Sequence, residues 1–282
     1  MYQLRGALSA DYNNYELKNG ALVAISTLSK YSKEYDSVGN WTQETGLDAH
    51  TLSVEPRYAD ARNGDFHLLT GSELIDAGNP LSPYANEPSP NGKRINIGRY
   101  GNTAEAAKSP LESGVTLVSY RDGGKATGTN ALVTWVFRGT NTAETLSIWY
   151  SPDAGATWTQ LASGVAASAG NWTWNTEESE PSVQAKLRLE TSGGAVSESS
   201  GVFSARNQPF KFYVNDSSRK GDVYCTAAGA ATNDGLTPAT PMADLNRLLE
   251  KYDLEAGDTV YVDTGIYDSG LTPWREIGRA HV

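Results

Sequence analysis

Between residues 111 and 208, apolar and polar side chains alternate with a period of two, which is the pattern of β-strands that bury one face. Glycine and asparagine separate these stretches, as they do where antiparallel strands turn. The alternation predicts strands at 115–120, 131–137, 145–150, 157–161, 185–190 and 201–204. Strands of this length and spacing pack as two sheets around one core, so we expect a β-sandwich that folds independently.

Residues 1–110 show a different pattern, in which short apolar runs alternate with turns rich in Asn, Gly and Asp. A continuous apolar run at 21–25 predicts a buried strand. A second strand is expected at 65–69, with Phe66 and Leu68 on the same face. Short single strands separated in this way favour stacked coils, in which each coil buries its apolar side against the next.

Residues 209–274 contain the one strong helical pattern of the chain. Apolar side chains recur three and four positions apart and share one face of the predicted helix: Met242, Leu245, Leu248, Leu249 and Tyr252. Thr240 is the expected N-cap of this helix, and Pro241 suits its first position. A strand is expected at 258–263, after a turn at Gly257.

Two parts of the chain resemble right-handed parallel β-helix proteins of the pectin-lyase-like class. "VEPRYADARNGDFHLLTGSELIDAG" and "NGKRINIGRYGNTAEA" are similar to the closing coils of such proteins, although Ser72-Glu73-Leu74 departs from the usual Ser-Pro-Ala. "NDGLTPATP" before the predicted helix and "AGDTVYVDTGIY" after it are similar to their N-terminal cap. The resemblance implies that residues 1–110 end one β-helix and that residues 209–274 cap a second.

The resemblances together imply a mainly β chain with three domains. Residues 111–208, between the two β-helix segments, are similar to immunoglobulin and fibronectin type III domains. Residues 275–282 continue neither a coil nor a turn, and 277–282 resemble the peptide encoded by a common sequencing adapter. We therefore expect a non-native tail at 275–282, attached to a fragment of a larger protein.

Charge and composition narrow the classes of partner. The chain has 33 acidic and 23 basic residues, a net charge of −10 that disfavours binding to nucleic acid. Its apolar runs fall short of the roughly 18–20 residues that span a membrane. A single cysteine, Cys225, excludes an intrachain disulfide framework, and we expect this thiol to be structural. An acidic, cysteine-poor chain of this architecture is expected outside the cell or at a bacterial surface.

The stretch "SPDAGATW", from Ser151 to Trp158, matches the Asp-box of sialidases. Folding alone explains the motif, because Asp153 can accept backbone N–H bonds, Gly155 can adopt a positive φ, and Trp158 can cover the hairpin. Sialidases repeat this box in every blade of a propeller, whereas it occurs once here. We predict a structural turn formed by these residues together with Ser151.

The sequence predicts no catalytic group and no metal site. The acidic residues of the first segment fall at turns, where Asp commonly caps the backbone: Asp11, Asp48, Asp60, Asp65 and Asp76. His67 is expected at the surface, and neither it nor His50 has the spacing of a metal ligand. Calcium at Asn215-Asp216 or Asn233-Asp234 stays open, since turn chemistry explains both pairs equally well. We expect no cofactor.

Tryptophan side chains are the better functional candidates. Trp172 and Trp174 share one face of a predicted strand, and Trp149 lies in another strand of the sandwich. Flat aromatic rings at a surface stack on sugars, which makes these three residues candidates for carbohydrate binding. The alternative is that they pack the core of the sandwich.

These observations predict a non-catalytic fragment of a large extracellular bacterial β-helix protein. It would act as a structural spacer or as an adhesin-like segment that contacts polysaccharide. The alternative is a fragment of a polysaccharide lyase or related carbohydrate-active enzyme whose catalytic coils lie elsewhere, since such enzymes act on their middle coils. A sialidase is the least favoured reading.

Overall fold

The computed structural model describes residues 8–18, 21–26, 33–139, 141, 143–252 and 254–267. These residues form a mainly β structure with several sheets. The chain divides into two compact units, Met1–Asn207 and Gln208–Val282. The predicted tail at 275–282 lies outside the described residues, as does the end of the predicted third domain.

The described residues contain fifteen strands and two α-helices. The strands are β1 Ala24–Ser26, β2 Lys33–Tyr35, β3 Tyr58–Asp60, β4 Asp65–Leu68, β5 Gly114–Leu117, β6 Lys125–Thr127, β7 Ala131–Arg138, β8 Thr145–Ser151, β9 Thr159–Ala166, β10 Asn171–Trp174, β11 Ser182–Thr191, β12 Val196–Glu198, β13 Phe203–Arg206, β14 Lys211–Val214 and β15 Thr259–Val262. The helices are α1 Val38–Thr45 and α2 Leu245–Lys251. Neither of these helices has the length and hydropathy of a membrane-crossing segment.

Two sheets dominate the first unit. One has the strand order β10-β7-β5 and is antiparallel throughout. The other has the order β6-β13-β11-β8-β9, with β12 also paired to β11, and only its β6–β13 pair is parallel. Strand β9 lies at one edge of this sheet, where its register with β8 shifts twice and Gly164 adopts a φ of 69°.

The two sheets share one hydrophobic core, because alternate side chains of each sheet point toward the other. The three-stranded sheet contributes Leu117, Val133 and Trp135, and the six-stranded sheet contributes Ile148 and Leu187, all 4% exposed or less. The indole Nε1 of Trp135 donates to the Ala167 carbonyl at 2.7 Å, so this large ring is buried without an unpaired donor. Each side chain of this kind stabilises the fold by about 1.5–3 kcal/mol through burial.

Buried polar contacts link the first segment of the unit to the sheets. The Thr116 hydroxyl donates to Glu73 Oε2 at 2.7 Å, and the Arg138 guanidinium donates to the Thr116 hydroxyl at 2.6 Å. Leu52, Leu74 and Val136 form a small apolar cluster with their neighbours. Residues on both sides of the predicted border at 110 therefore belong to one unit, while independent folding of 111–208 stays a prediction.

The predicted parallel β-helix is wrong. Stacked coils require parallel strands that pair from coil to coil, but β1–β2 and β3–β4 are separate antiparallel pairs. The described residues form no solenoid or closed sheet. In the second unit, β14 and β15 form a two-stranded parallel sheet, and other parallel pairings such as that of Asn14 with Leu52 are single bridges. The motifs behind this prediction form short strands and the turns that join them.

Both helices differ from the sequence prediction. Helix α1 was not predicted, although Ser37 caps it by accepting from the Asn40 N–H and Gly46 ends it with a φ of 69°. Helix α2 begins after Asp244, whose carboxylate accepts from the Arg247 N–H, and not after Thr240. The helix starts later because the Met242 N–H donates to the Tyr213 carbonyl of β14, and this strand-like pairing holds residue 242 outside the helix.

Asp48 and Asp76 are two buried carboxylates with left-handed backbones, at φ of 57° and 56°. Burial alone would raise the pKa of Asp48, but hydrogen bonds from Thr51, Asn13, Trp41 and Tyr15 outweigh it and lower the pKa. Burial raises the pKa of Asp76, where Ser109 donates to one oxygen and the other has no partner. The first carboxylate is stabilised as an anion and the second is not.

The Asp263 carboxylate holds a loop of the second unit through hydrogen bonds from backbone N–H groups. Burial would raise the pKa of this carboxylate, but the backbone N–H groups of Cys225, Val223, Thr264 and Tyr224 donate to it and lower the pKa to about 2. Successive N–H groups that converge in this way form an anion-binding nest, here occupied by a side chain of the same unit. Asp263 thereby fixes the loop 223–225 at the end of β15.

We predict that Asp48→Asn and Asp76→Asn have different effects on stability. At pH 7, Asp48→Asn should lower the free energy of unfolding by about 2 kcal/mol, because it weakens hydrogen bonds to a charged acceptor. Asp76→Asn should lower it less, because asparagine tolerates the left-handed backbone and can still accept from Ser109. Urea denaturation of both variants measures the difference, and equal losses would contradict the prediction.

The pH dependence of the two variants adds a second measurement. The folded-state pKa of Asp48 is lowered, so its stabilisation is present above the ordinary value of 3.8 and is lost as the pH falls through the folded-state value. The folded-state pKa of Asp76 is raised, so its contribution is favourable below 3.8 and declines as the pH rises. Loss of stability on going from pH 7 to pH 2.5, which crosses both windows, should therefore be smaller in Asp48→Asn than in Asp76→Asn.

Candidate functional site

The Asp-box-like stretch forms the hairpin that joins β8 to β9. The Ser151 hydroxyl donates to Asp153 Oδ1 at 2.7 Å and accepts from the Gly155 N–H at 2.8 Å. Asp153 in turn accepts from the Thr157 N–H at 2.8 Å and the Thr157 hydroxyl at 2.7 Å. Ala154 and Gly155 adopt φ of 59° and 98°, which closes the turn. The predicted turn residues thus meet in one hydrogen-bonded loop.

Asp153 is the electrostatic centre of this loop. The hydroxyl and the N–H of Thr157, followed by the Ser151 hydroxyl, lower the pKa of its carboxyl to about 2. The group is therefore ionised throughout the physiological range and engaged by donors of its own turn. A carboxylate in this state is suited to holding a turn and unsuited to acting as a general acid.

The hairpin places the Trp158 ring against the six-stranded sheet. The indole Nε1 donates to the Gly155 carbonyl at 3.0 Å, which fixes the ring over its own turn. The Arg188 guanidinium of β11 lies 4.2 Å from the centre of the ring, within the range of a cation–π interaction. The turn therefore determines where Trp158 meets the sheet.

Strands β8, β11 and β12 align three side chains beside this contact. Arg188 lies directly opposite Trp149 on one neighbouring strand and opposite Glu198 on the other. Lys186, two positions earlier on β11, is 3.5 Å from Glu198. Because Leu187 and the other alternate residues of β11 point into the core, Lys186 and Arg188 point away from it.

We define the outer face as the solvent side of this sheet formed by Trp149, Trp158, Lys186, Arg188 and Glu198. All five side chains are half-buried, so each is packed by neighbours and also reaches the surface. Two donors of the outer face, Trp149 Nε1 and Arg188 Nε, are buried and have no hydrogen-bond partner. Buried donors are normally paired, so these two atoms are exceptions.

The three predicted carbohydrate-binding residues lie in different places. Trp174 is 1% exposed, and its ring packs against Tyr150 and Phe203 at centroid distances of 5.1 and 6.2 Å. It has no free face for a sugar, which removes it from the predicted set. Trp172 is half-buried beside the core in the three-stranded sheet. Only Trp149 belongs to the outer face.

The remaining candidate groups of the sequence are engaged in local contacts. His67 lies between Asp65 at 2.5 Å and Glu105 at 3.3 Å, and the hydrogen bond to Asp65, followed by weaker attractions, raises its pKa. Its ring stacks on Tyr100 with a centroid distance of 4.0 Å. Burial, followed by the nearby Asp263 carboxylate, raises the pKa of the Cys225 thiol to about 11. A thiol with this pKa is a poor nucleophile at neutral pH.

The predicted calcium positions are occupied by turn contacts. Asp216 accepts from the Ser218 N–H at 2.7 Å, and Asp234 accepts from the Thr240 hydroxyl at 2.6 Å. The Asn215 amide nitrogen donates to Asp222 at 2.8 Å, and that of Asn233 donates to the Pro241 carbonyl at the same distance. The described part of the chain holds no cluster of three or more His, Cys, Asp or Glu side chains that could bind a metal. Calcium binding stays a prediction.

Sequence reasoning did not identify Lys186 and Arg188 as members of the outer face, or assign Trp158 a surface role. The alternation Lys-Leu-Arg-Leu-Glu at 186–190 does indicate that both basic residues point away from the core. Their position beside Trp149 and Trp158 depends on strand register and on the turn, which alternation alone does not define.

Comparison with known proteins gives no relative: neither a family profile, nor a curated protein, nor a solved structure matches this chain.

We predict that Trp174→Ala destabilises the first unit much more than Trp172→Ala. Removing the buried ring of Trp174 leaves a cavity among aromatic neighbours and should lower the free energy of unfolding by about 3–5 kcal/mol. Trp172 is half-buried, and its loss should lower the free energy by less than half as much. Urea denaturation of the two variants measures both values. A Trp172→Ala loss equal to that of Trp174→Ala would contradict this placement.

A second prediction concerns the turn. Titration of the Asp153 carboxyl by carbon-13 NMR should give a pKa of about 2. Thr157→Val removes the hydroxyl donor but keeps the backbone N–H, so the pKa should rise toward the ordinary value of 3.8. Thr159→Val, in the exposed part of β9, is the matched control and should leave the pKa unchanged. A value near 3.8 in the unmodified chain would argue against the loop geometry.

Proposed function

We propose that the two-sheet part of the first unit is an immunoglobulin- or fibronectin-type sandwich that serves as a non-catalytic, polysaccharide-contacting module. The observation that carries the proposal is the outer face, where Trp149 and Trp158 flank Arg188 on one surface. The protein acts outside the cell or at a bacterial surface, as an adhesive or spacer segment.

The sandwich assignment is supported by the topology. Antiparallel strands of the two sheets enclose one core, and Trp135 and Trp174 anchor it from the three-stranded sheet. The outward side chains of β8 and β11 beside this surface are half-buried, so Trp149, Lys186 and Arg188 each reach the surface. Such modules present binding residues on a rigid scaffold, so little ordering entropy is lost on contact with a ligand.

The carbohydrate assignment is supported by the composition of the outer face. Sugar rings combine apolar C–H faces with hydroxyl groups, so their sites pair aromatic rings with hydrogen-bonding side chains. The outer face offers both, since Trp149 and Trp158 lie among Lys186, Arg188 and Glu198. Gln160 of β9 lies opposite Trp149 and extends the polar part of this surface.

A binding role accounts for the carboxylates better than a catalytic role. Glycoside cleavage needs one carboxyl that carries a proton near neutral pH and a second that is free to act as a base or nucleophile. Near the outer face, Asp153 is ionised and engaged by its turn, and Glu198 is paired with Lys186. These two groups meet neither requirement.

The test is retention of the full chain in polyacrylamide gels that contain single polysaccharides, both neutral and acidic. At least one polymer should retard the protein, and Trp149→Ala and Trp158→Ala should each weaken the retardation at least tenfold. Trp172→Ala is the matched control, because this half-buried tryptophan lies in the other sheet, and it should bind as the unmodified chain does.

Two results would count against the proposal. Absence of retardation by every polymer would remove the binding role, and loss of binding in Trp172→Ala alone would move the site to the other sheet. Thermal melts of each variant must show a folded protein, so that a loss of binding is not a loss of fold.

A further inference from the structure

Arg188 is the best-positioned binding group of the outer face. Its guanidinium carbon lies over the Trp158 ring, 4.2 Å from the ring centre, and its strand neighbours are Trp149 and Glu198. A cation–π contact of this kind leaves N–H groups of the guanidinium as donors for a ligand. The Arg188 Nε atom is buried, so the terminal nitrogens of the guanidinium are the donors that a ligand can reach.

Arg188 also differs from the other basic residue of the outer face. Lys186 has a carboxylate at 3.5 Å in Glu198. Arg188 has no carboxylate within salt-bridge distance among the residues that the structure describes. A cationic side chain without a counter-charge is therefore held beside two indole rings.

The chemistry of Arg188 defines what the ligand must present. Trp149 lies directly opposite Arg188, but its Nε1 is buried out of reach of a ligand. A guanidinium group only donates hydrogen bonds, so a ligand that pairs with Arg188 must present acceptor oxygens. Carboxylates do this best, because two oxygens in one plane match the fork of an arginine.

Resting on the proposed function, we infer that the outer face binds an acidic polysaccharide through the carboxylate of a uronic acid unit. Arg188 pairs with the carboxylate, and the indole rings of Trp149 and Trp158 contact the C–H groups of the sugar. Glu198 stays paired with Lys186 and does not compete for Arg188. A neutral sugar supplies the ring contacts but leaves Arg188 without a counter-charge.

The decisive experiment compares two forms of one polymer. Affinity electrophoresis of the full chain is run with polygalacturonate and with the same polymer after methyl esterification, which removes the charge and keeps the sugar backbone. The free acid should bind at least tenfold more tightly than the ester. The difference should shrink as sodium chloride is raised, because it depends on charge.

Variants of Arg188 identify the group responsible. Arg188→Gln should abolish the preference for the free acid, and Arg188→Lys should weaken binding of the free acid at least threefold, since an ammonium group lacks the planar fork. Arg62→Gln is the matched control, because Arg62 is an exposed arginine of the same unit outside the outer face. It should bind as the unmodified chain does, and thermal melts confirm that each variant is folded.

The outcomes separate the two proposals. Equal binding of the free acid and the ester, with Trp149→Ala still defective, would overturn the acidic ligand and keep the polysaccharide-binding role. Binding of dextran sulfate without binding of polygalacturonate would overturn carboxylate recognition in the same way. Full preference for the free acid in Arg188→Gln would overturn the role of Arg188. Failure to bind any polymer, including neutral dextran, would remove both proposals.

Discussion

The structure of the first unit depends on the register in which β8 pairs with β11, and on the alternation of inward and outward side chains along both strands. On one side of these strands Leu146, Ile148 and Leu187 enter the core, and on the other Trp149 and Arg188 face outward. Because the side-chain period is two, a slip of one residue would exchange the two sets and expose the core. The burial that stabilises the sheets therefore also holds the outer face in one arrangement. Stability and the proposed binding surface depend on the same register.

The sequence predicted the strands of this unit far better than their partners. Alternation is a local signal, so β7, β8 and β11 were expected within a few residues of their observed ends. Strand pairing is non-local, and the Asn-, Gly- and Asp-rich motifs of residues 54–106 specify turns that suit several folds. The predicted β-helix is therefore wrong, and the structure has separate antiparallel strand pairs instead. Buried side chains such as Asp48 hold the loops between them.

The candidate site, too, could be predicted only in part, because it depends on strand pairing. In β10, Asn and Thr alternate with Trp172 and Trp174, so the core alternative for Trp174 was already present in the pattern. The outer face could not be assembled from the pattern alone, because Arg188 and Trp149 are far apart in the chain and become neighbours only through the β8–β11 register. Trp158 joins them through the hydrogen bonds of its turn. The sequence identified the turn residues, but it did not identify the contact between Trp158 and Arg188 that the turn produces.

Edge strand β9 gives the unit a further property. It ends the six-stranded sheet beside Trp149, and its shifted register and the positive φ of Gly164 interrupt the regular row of backbone donors and acceptors. An irregular edge is a poor template for a strand of another molecule, and natural sheets use bulges in this way to resist aggregation. The protein can thus keep a partly apolar surface next to a sheet edge and still remain dispersed at high local concentration.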